Sequence, residues 1–287
     1  MATRELFTTV ALLLSTMGSG FAGPPQAGLP ESCYVNTHVM VPKASSVKIA
    51  YVDNSTFFPK EFREATSRVA RSWPQPGDRI LLLHFAVGNG SDMPEVILDR
   101  LIEPIIKDRG WLSHAKEQQI DRCLERQRDQ IRDEFRSELA KALEMYRADS
   151  GGRSPIAAAL AETKSLVASI PRGQVSVLVL TDGVEHSGLP PRGVSFYQPG
   201  GGQQLRALDP QREVGQLKEL GLLPSLPGVK IWMAGVGLPE PAANGQPNYR
   251  RPAADIASLK STWTSIFAAA KANLIEINSG SPLRPLE

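Results

Sequence analysis

Three stretches far apart in the chain bring oxygen-bearing side chains to the ends or starts of regular elements. Val47-Lys48-Ile49-Ala50-Tyr51-Val52 runs into Asp53-Asn54-Ser55-Thr56, and Val175-Ser176-Val177-Leu178-Val179-Leu180-Thr181 runs into Asp182-Gly183. Between them, Gly151-Gly152-Arg153-Ser154-Pro155-Ile156 opens a helical pattern. Carboxylates and hydroxyls gathered in this way make an oxygen-rich site. Two buried-strand patterns ending in Asp, with a Ser-bearing helix start between them, predict one site at the carboxyl edge of a parallel sheet. Ligands bind at that edge, near the point where strand order reverses.

Each residue also has a plain structural reading. Asp-Gly after a strand is a common turn, and Asp53 reads as a turn residue in the same sense. Ser154 before Pro155 reads as an N-cap accepting from a backbone N–H of the first helical turn. It is the order and context of the three stretches together that favour a site. Other chemistry finds little support. His38, His84, His114 and His186 show no metal-ligand spacing. There is no Gly-rich phosphate loop ending in Lys-Ser or Lys-Thr, and no Gly-x-Ser-x-Gly nucleophile elbow.

The elements that must position these residues follow from periodicity. Strands are expected at Val47–Val52, Ile80–Ala86, Val175–Leu180, Val229–Val236 and Leu274–Ile277. Pro94–Leu98 reads as a short edge strand or as a helix. Helices are expected at Pro59–Ser72, Ser154–Ile170, Gln211–Leu220 and Ala254–Lys271, each with apolar residues at helical spacing. Pro155 takes the first-turn position of its helix, where a missing N–H is harmless. Asp108–Ala148 is a long amphipathic helix, with Ile120, Leu124, Ile131, Phe135, Leu139, Leu143 and Tyr146 on one side. Its apolar side would pack on the domain or on a partner, its charges forming a solvated face. The Pro- and Gly-rich loop Ser187–Pro210 is long enough to be functional or disordered. Strands alternating with helices predict an α/β fold, a mostly parallel doubly wound sheet covered on both faces. The strand at Val175–Leu180, being the most hydrophobic, belongs at its centre.

The 287 residues suffice for one large α/β domain with insertions, and 41% hydrophobic with 22% charged content fits a globular protein. A net charge of +2 gives no pointer to nucleic acid. The amino terminus reads as an export signal over residues 1–22: Arg4, an apolar run from Leu6 to Met17, then small residues in Gly20-Phe21-Ala22. The run is shorter than the roughly 20 residues that span a bilayer, so an uncleaved anchor is the minor alternative. Residues 23–45 read as a flexible leader, and residues 279–287 as a tail. Export, to a periplasm or to the outside, would place Cys33 and Cys123 in an oxidising compartment. Two readings are open for them, a disulfide tying the leader to the long helix or two separate thiols.

Taken together, these residues resemble a von Willebrand factor A-type (vWA) domain, from Ser46 to Asn278, interrupted by the charged helix over 108–149. That family carries a metal-ion-dependent adhesion site on three loops above a parallel sheet. Its loops hold Asp-x-Ser-x-Ser, a Thr at a helix start, and Asp-Gly after a very hydrophobic strand. Asp53-Asn54-Ser55-Thr56-Phe57, Gly152-Arg153-Ser154 and Thr181-Asp182-Gly183 occupy those places, and Pro76-Gly77-Asp78 before the second strand also resembles the family. The resemblance implies Mg²⁺ held by Asp53, Ser55, Ser154 and Asp182, with a partner protein's carboxylate completing the oxygen shell. Phe57 departs from the pattern by replacing the second serine. A degenerate, metal-free version of the site is therefore the other expectation.

The function this implies is a non-enzymatic, exported protein-interaction domain using the loop face over Asp53, Ser154 and Asp182. One alternative is a permanent part of an envelope secretion or conjugation assembly, docked through the Ile120–Tyr146 helix. A Mg²⁺-dependent phosphohydrolase of the haloacid-dehalogenase type is the other. That family has a second Asp two residues after the nucleophile, where this chain has Ser55.

Overall fold

The computed structural model describes residues 32–35, 37, 43–85, 94–110, 112–146, 154–168, 174–187, 193–196, 205–239, 251–282 and 286. The export signal, the Gly- and Pro-rich stretch after it, Gly151-Gly152-Arg153 and Gly200-Gly201-Gly202 lie outside these residues. In chain order the first elements are β1 (Ser46–Asp53), α1 (Lys60–Arg71), β2 (Asp78–Phe85), β3 (Glu95–Leu101) and α2 (His114–Glu144). Then come α3 (Ile156–Ala161), α4 (Thr163–Leu166), β4 (Val175–Leu180), β5 (His186–Ser187) and β6 (Val194–Ser195). The last are α5 (Pro210–Glu219), β7 (Lys230–Ala234), α6 (Ala253–Ala269) and β8 (Asn273–Ile277).

Side-chain alternation decides the layers, because successive residues of a strand face opposite sides of the sheet. Ile49, Tyr51, Leu81, Leu83, Val177, Val179, Ile231 and Met233 point to one face, where α3, α5 and α6 bring Leu160, Leu217, Leu259, Trp263 and Phe267. Ala50, Val52, Ile80, Leu82, Leu178, Leu180, Trp232 and Ala234 point to the other, covered by Phe62 and Ala70 of α1 and by Phe135, Leu139 and Leu143 of α2. The central strands are thus apolar on both sides, as near-continuous hydrophobic runs require. Lys48 is the exception within β1. Its ammonium is buried, paired with Asp78 at 2.8 Å and bonded to the Trp73 carbonyl.

The six-stranded sheet runs β3-β2-β1-β4-β7-β8. All pairs are parallel except β2 with β3, where Arg79 faces Leu101 and His84 faces Glu95. From β1 the chain winds outward through β2 to β3, then restarts at β4 and winds the opposite way through β7 to β8. The switch point therefore lies between β1 and β4, paired from Val47↔Val175 to Val52↔Leu180. This is the expected α/β, doubly wound, mostly parallel fold, with β4 inside the sheet.

Four expectations change in detail. The stretch after Pro94 resolves as the antiparallel edge strand β3 rather than a helix. The continuous helix expected over Ser154–Ile170 is instead two short pieces, α3 and α4, broken at Glu162. Thr163, fully buried beside the break, has its hydroxyl 3.1 Å from the Tyr51 phenol, and Thr and Ser are weaker helix formers than Ala, Leu or Lys. Pro155 is the residue before the helix, not the first within it. The long helix is confirmed but shorter, and the choice left open for its apolar side is settled. Phe135, Leu139, Ala142 and Leu143 complete the second face of the domain's own core.

The amino half of α2 extends past the sheet to a satellite cluster of Ile120 and Leu124 with Cys33 and Tyr34. Cys33 and Cys123 form a disulfide, with α-carbons 5.6 Å apart. Within the stretch read as leader, the turn at residues 32–35 is therefore fixed: the Cys33 amide donates to Glu103 at 2.8 Å and the Tyr34 hydroxyl to the Pro104 carbonyl at 2.7 Å. Among the described residues no helix is long and apolar enough to cross a membrane.

A crosslink spanning 90 residues removes much loop entropy from the unfolded chain, worth about 4 kcal/mol on a chain-entropy estimate. A Cys33→Ser/Cys123→Ser double variant should lose stability of that order in urea unfolding, and the oxidised wild type should lose the same amount on reduction. A loss below about 1 kcal/mol would show that the bond is incidental to folding.

Candidate functional site at the carboxyl edge of the sheet

Asp53 ends β1 at the switch point and is fully buried. The turn that follows is made by its own side chain: Oδ1 accepts from the Ser55 amide at 2.9 Å, and the Asp53 carbonyl accepts from the Thr56 amide at 3.1 Å. This Asx geometry suits Asp because a short carboxylate can mimic a backbone acceptor. It also carries the Ser55 and Thr56 hydroxyls back over the carboxylate. Ser55 Oγ donates to Oδ1 at 2.6 Å and Thr56 Oγ1 to Oδ2 at 3.0 Å.

The other two stretches reach the same carboxylate. Ser154 Oγ, just before α3, donates to Asp53 Oδ2 at 2.7 Å and lies in close contact with Ser55 Oγ. Its carbonyl accepts from the His186 amide at 2.8 Å, which ties the start of α3 to the ribbon of β5 and β6. The first-turn amide of Ala157 donates to the buried Glu185 carboxylate at 2.8 Å, while the Ser154 hydroxyl turns to Asp53, so the N-cap reading of Ser154 does not apply. Thr181 Oγ1, at the end of β4, donates to Asp53 Oδ2 at 2.7 Å. Five donors thus converge on one carboxylate. Burial pushes the Asp53 carboxyl above its ordinary range, while hydrogen bonds from Ser55, Thr181 and Ser154 pull it back down.

Asp182 stands beside this cluster. Its amide donates to Thr56 Oγ1 at 3.1 Å, and its Oδ1 accepts from the Val184 amide at 2.9 Å. Gly183 has φ of +80°, and a β-carbon there would lie 3.2 Å from Val236 Cγ1, so the Asp-Gly pair is a steric requirement as well as a turn preference. The second oxygen of Asp182 accepts from Arg251 Nη2 at 2.6 Å. That guanidinium is buried, its side chain 1% exposed, and its Nε donates to the Leu238 carbonyl at 3.0 Å.

Asp53, Ser55, Ser154 and Asp182, the four residues singled out from sequence, therefore share one rim. Thr56, Thr181 and Arg251 join them without having been expected. Thr56 enters because the Asx turn folds its side chain inward, overriding the strand alternation that would send it elsewhere. Thr181 had a signal, being the last strand residue before Asp182. Arg251 had none, since nothing local to residue 251 points to a partner 69 residues away. The four histidines do not gather: His84 sits between Asn54 and Glu95, His114 beside Glu117 and His186 against Ser195, while His38 lies outside the described residues.

The rim is of hard-donor chemistry, which Mg²⁺ favours, but its donors are arranged otherwise. Asp182, the third-loop carboxylate, is already neutralised by a guanidinium that would repel a divalent ion. Both Asp53 oxygens are occupied by N–H and O–H donors. Phe57, where a hydroxyl would stand, packs edge-on against Tyr146, with ring centroids 6.1 Å apart. Among the described residues no three His, Cys, Asp or Glu side chains cluster as metal ligands. The residues present do not fit a resident Mg²⁺ ion.

No protein-family model matches the chain, and no curated protein matches it. Among solved structures, it is similar to an aerotolerance-related membrane protein from Bacteroides fragilis NCTC 9343, at 15% identity and a TM-score of 0.36, over 80% of this chain and 90% of that one. It is also similar to BatB from Bacteroides thetaiotaomicron, at 14% identity and a TM-score of 0.29, over 82% and 90% of the two chains. The SpRpn10 VWA domain follows at 11% identity and a TM-score of 0.26, over 84% and 91%. At these scores the likenesses carry no argument about function. The doubly wound α/β character of the fold stands on the sheet order itself.

Removing one donor from a buried carboxylate should cost about 1.5–3 kcal/mol, the range for hydrogen bonds to charged groups. Ser154→Ala and Thr181→Val should each lose that much in urea unfolding, and unchanged stability in both would remove the network from any structural role. A carboxyl that holds its proton more tightly in the native state makes stability rise as pH falls, from the native pKa down to the unfolded value near 3.8. Above the native pKa its burial is a constant penalty. The stability difference between wild type and Asp53→Asn should therefore move in favour of wild type on acidification from neutrality. A flat or opposite trend would contradict a proton-retaining Asp53.

Proposed function

We propose that this chain is an exported, non-enzymatic vWA-like domain that binds a partner protein through the loop face above Asp53, Ser154 and Asp182. The observation that carries the reading is the way the rim's reactive groups are consumed by one another. Asp53 has no exposed surface and holds five donors, Asp182 is paired with Arg251, and the Ser55 and Ser154 hydroxyls both turn inward to Asp53. Such a network fixes the loops that leave β1 and β4 and the segment entering α3. Among the described residues of these loops it leaves no group poised to attack a substrate. A phosphohydrolase would need Asp53 free to reach phosphorus, and a carboxylate so enclosed is poorly placed for that. Loops held on a rigid scaffold are where binding surfaces usually lie.

Export is supported by the Cys33–Cys123 bond, since disulfides persist in oxidising compartments, together with the apolar run near residues 6–17. Permanent docking into an envelope assembly through α2 has less support, because α2 uses Phe135, Leu139 and Leu143 to close its own domain.

Phe57, partly exposed on the rim, is a natural position for a photoreactive phenylalanine derivative. In cells, that derivative should form a discrete crosslinked product with one envelope protein. The same group at Lys107, exposed beyond the end of β3 near the opposite edge, should not. No product from Phe57, or the same product from both positions, would refute binding by this face.

A further inference from the structure

We propose that Arg251 is the built-in cation of this rim: its guanidinium does at Asp182 what a bound divalent ion would otherwise do, so that the loop face is locked permanently and without metal. The inference holds whether or not a protein binds that face, because it rests on the charge arrangement alone.

A metal at the carboxyl edge of such a sheet has two physical tasks. It neutralises acidic side chains that have been taken out of water, and it ties separate loops to one centre. Here both tasks are done by the chain. Arg251 Nη2 meets Asp182 Oδ2 at 2.6 Å and Nε meets the Leu238 carbonyl at 3.0 Å. One side chain thus joins the turn after β4 to the turn after β7. The backbone reinforces the link, since the Gly237 amide donates to the Asp182 carbonyl at 2.7 Å. Gly237 has φ of +84°, and a β-carbon there would lie 2.5 Å from Ile256 Cγ1, so the turn is also braced against the first turn of α6. Arg251 itself sits just ahead of α6, with its side chain 1% exposed.

The second acidic group is handled differently. Asp53 has hydroxyls and an amide around it, and burial favours its protonated form. The two carboxyls are thereby each accounted for, one by a fixed positive charge and one by converging hydrogen-bond donors. Arginine suits the first role because its charge persists at any physiological pH and its fork can serve a carboxylate and a carbonyl at once. One consequence concerns recognition. A partner cannot complete a metal shell here with a carboxylate of its own, so binding must read the shape and polarity of loops that are already in place.

The test is thermal unfolding of the full chain in EDTA and in millimolar Mn²⁺, followed by circular dichroism. Wild type should unfold at the same temperature in both. Arg251→Met keeps most of the side-chain volume but removes the charge, and should lower Tm by roughly 10 °C in EDTA. With the guanidinium gone, Mn²⁺ should raise the Tm of Arg251→Met, and should fail to raise it when Asp182→Asn is added. A saturable Mn²⁺-dependent rise in wild type would overturn the proposal. So would an Arg251→Met protein as stable as wild type, or one that is destabilised yet indifferent to Mn²⁺, which would make Arg251 an ordinary ion pair. If Arg251→Met does not fold, Arg251→Lys takes its place beside wild type. Because Lys retains the charge, Mn²⁺ dependence in either protein refutes the idea and indifference in both upholds it.

Discussion

A carboxylate with no solvent access at the end of a central strand is the constraint on which this structure turns. An ionised Asp53 without partners would be several kcal/mol too costly for a domain of ordinary stability. Its donors are supplied by the turn after β1, by Ser154 two residues ahead of α3 and by Thr181 just past the end of β4. Ser154 and Thr181 lie 101 and 128 residues further along the chain. They can reach Asp53 only if β4 has paired with β1 in the correct register and on the correct side. The site is therefore a consequence of the strand order, and the strand order is in turn favoured by the site. Assembly of the sheet and assembly of the rim are one event.

Much of this was legible because the periodicities are strong. Runs such as Ile80–Phe85 and Val175–Leu180 are too apolar for anything but a twice-covered strand, and their alternation with helical patterns leaves few topologies open. The convergence of Asp53, Ser55, Ser154 and Asp182 followed from placing strand ends at a switch point. Details governed by local geometry or by distant partners were hidden. The break at Glu162 sits beside a contact between Thr163 and Tyr51 across the layers, a pairing that no local pattern announces. The inward turn of Thr56 depends on an Asx turn that alternation alone does not foresee. Arg251 follows a Pro-containing stretch with no regular periodicity, and its partner lies 69 residues away. Sequence gave it no context.

The two edges of the sheet solve the same electrostatic problem by different means. At the amino edge Lys48 and Asp78 form a buried ion pair between neighbouring strands, helped by the Trp73 carbonyl, the Ser46 hydroxyl and the Gln75 amide. At the carboxyl edge one aspartate takes an arginine and the other takes hydroxyls. The first arrangement is local, joining β1 to β2 and to the turn that leads into it. The second gathers contributions from segments across the whole chain. Substitutions at the amino edge should act on stability alone, whereas those at the carboxyl edge act also on the shape of the exposed loops.

The placement of β1 bears on how the molecule emerges during synthesis. One of its flanks is covered early, by β2, which follows after a single helix. The other waits for β4, so Val47–Val52, apolar but for Lys48, keeps an open hydrogen-bonding flank until the chain has been delivered beyond residue 180. Unsatisfied strand flanks of this kind invite pairing with other chains. The Cys33–Cys123 bond encloses β1, α1, β2 and β3 in one covalent ring that leaves β4 outside, and α2 lays its apolar side over one surface of that ring. The amino-terminal half of the domain is thus covered on one broad side by its own helices, while its innermost seam can be closed only by a strand from the carboxyl-terminal half.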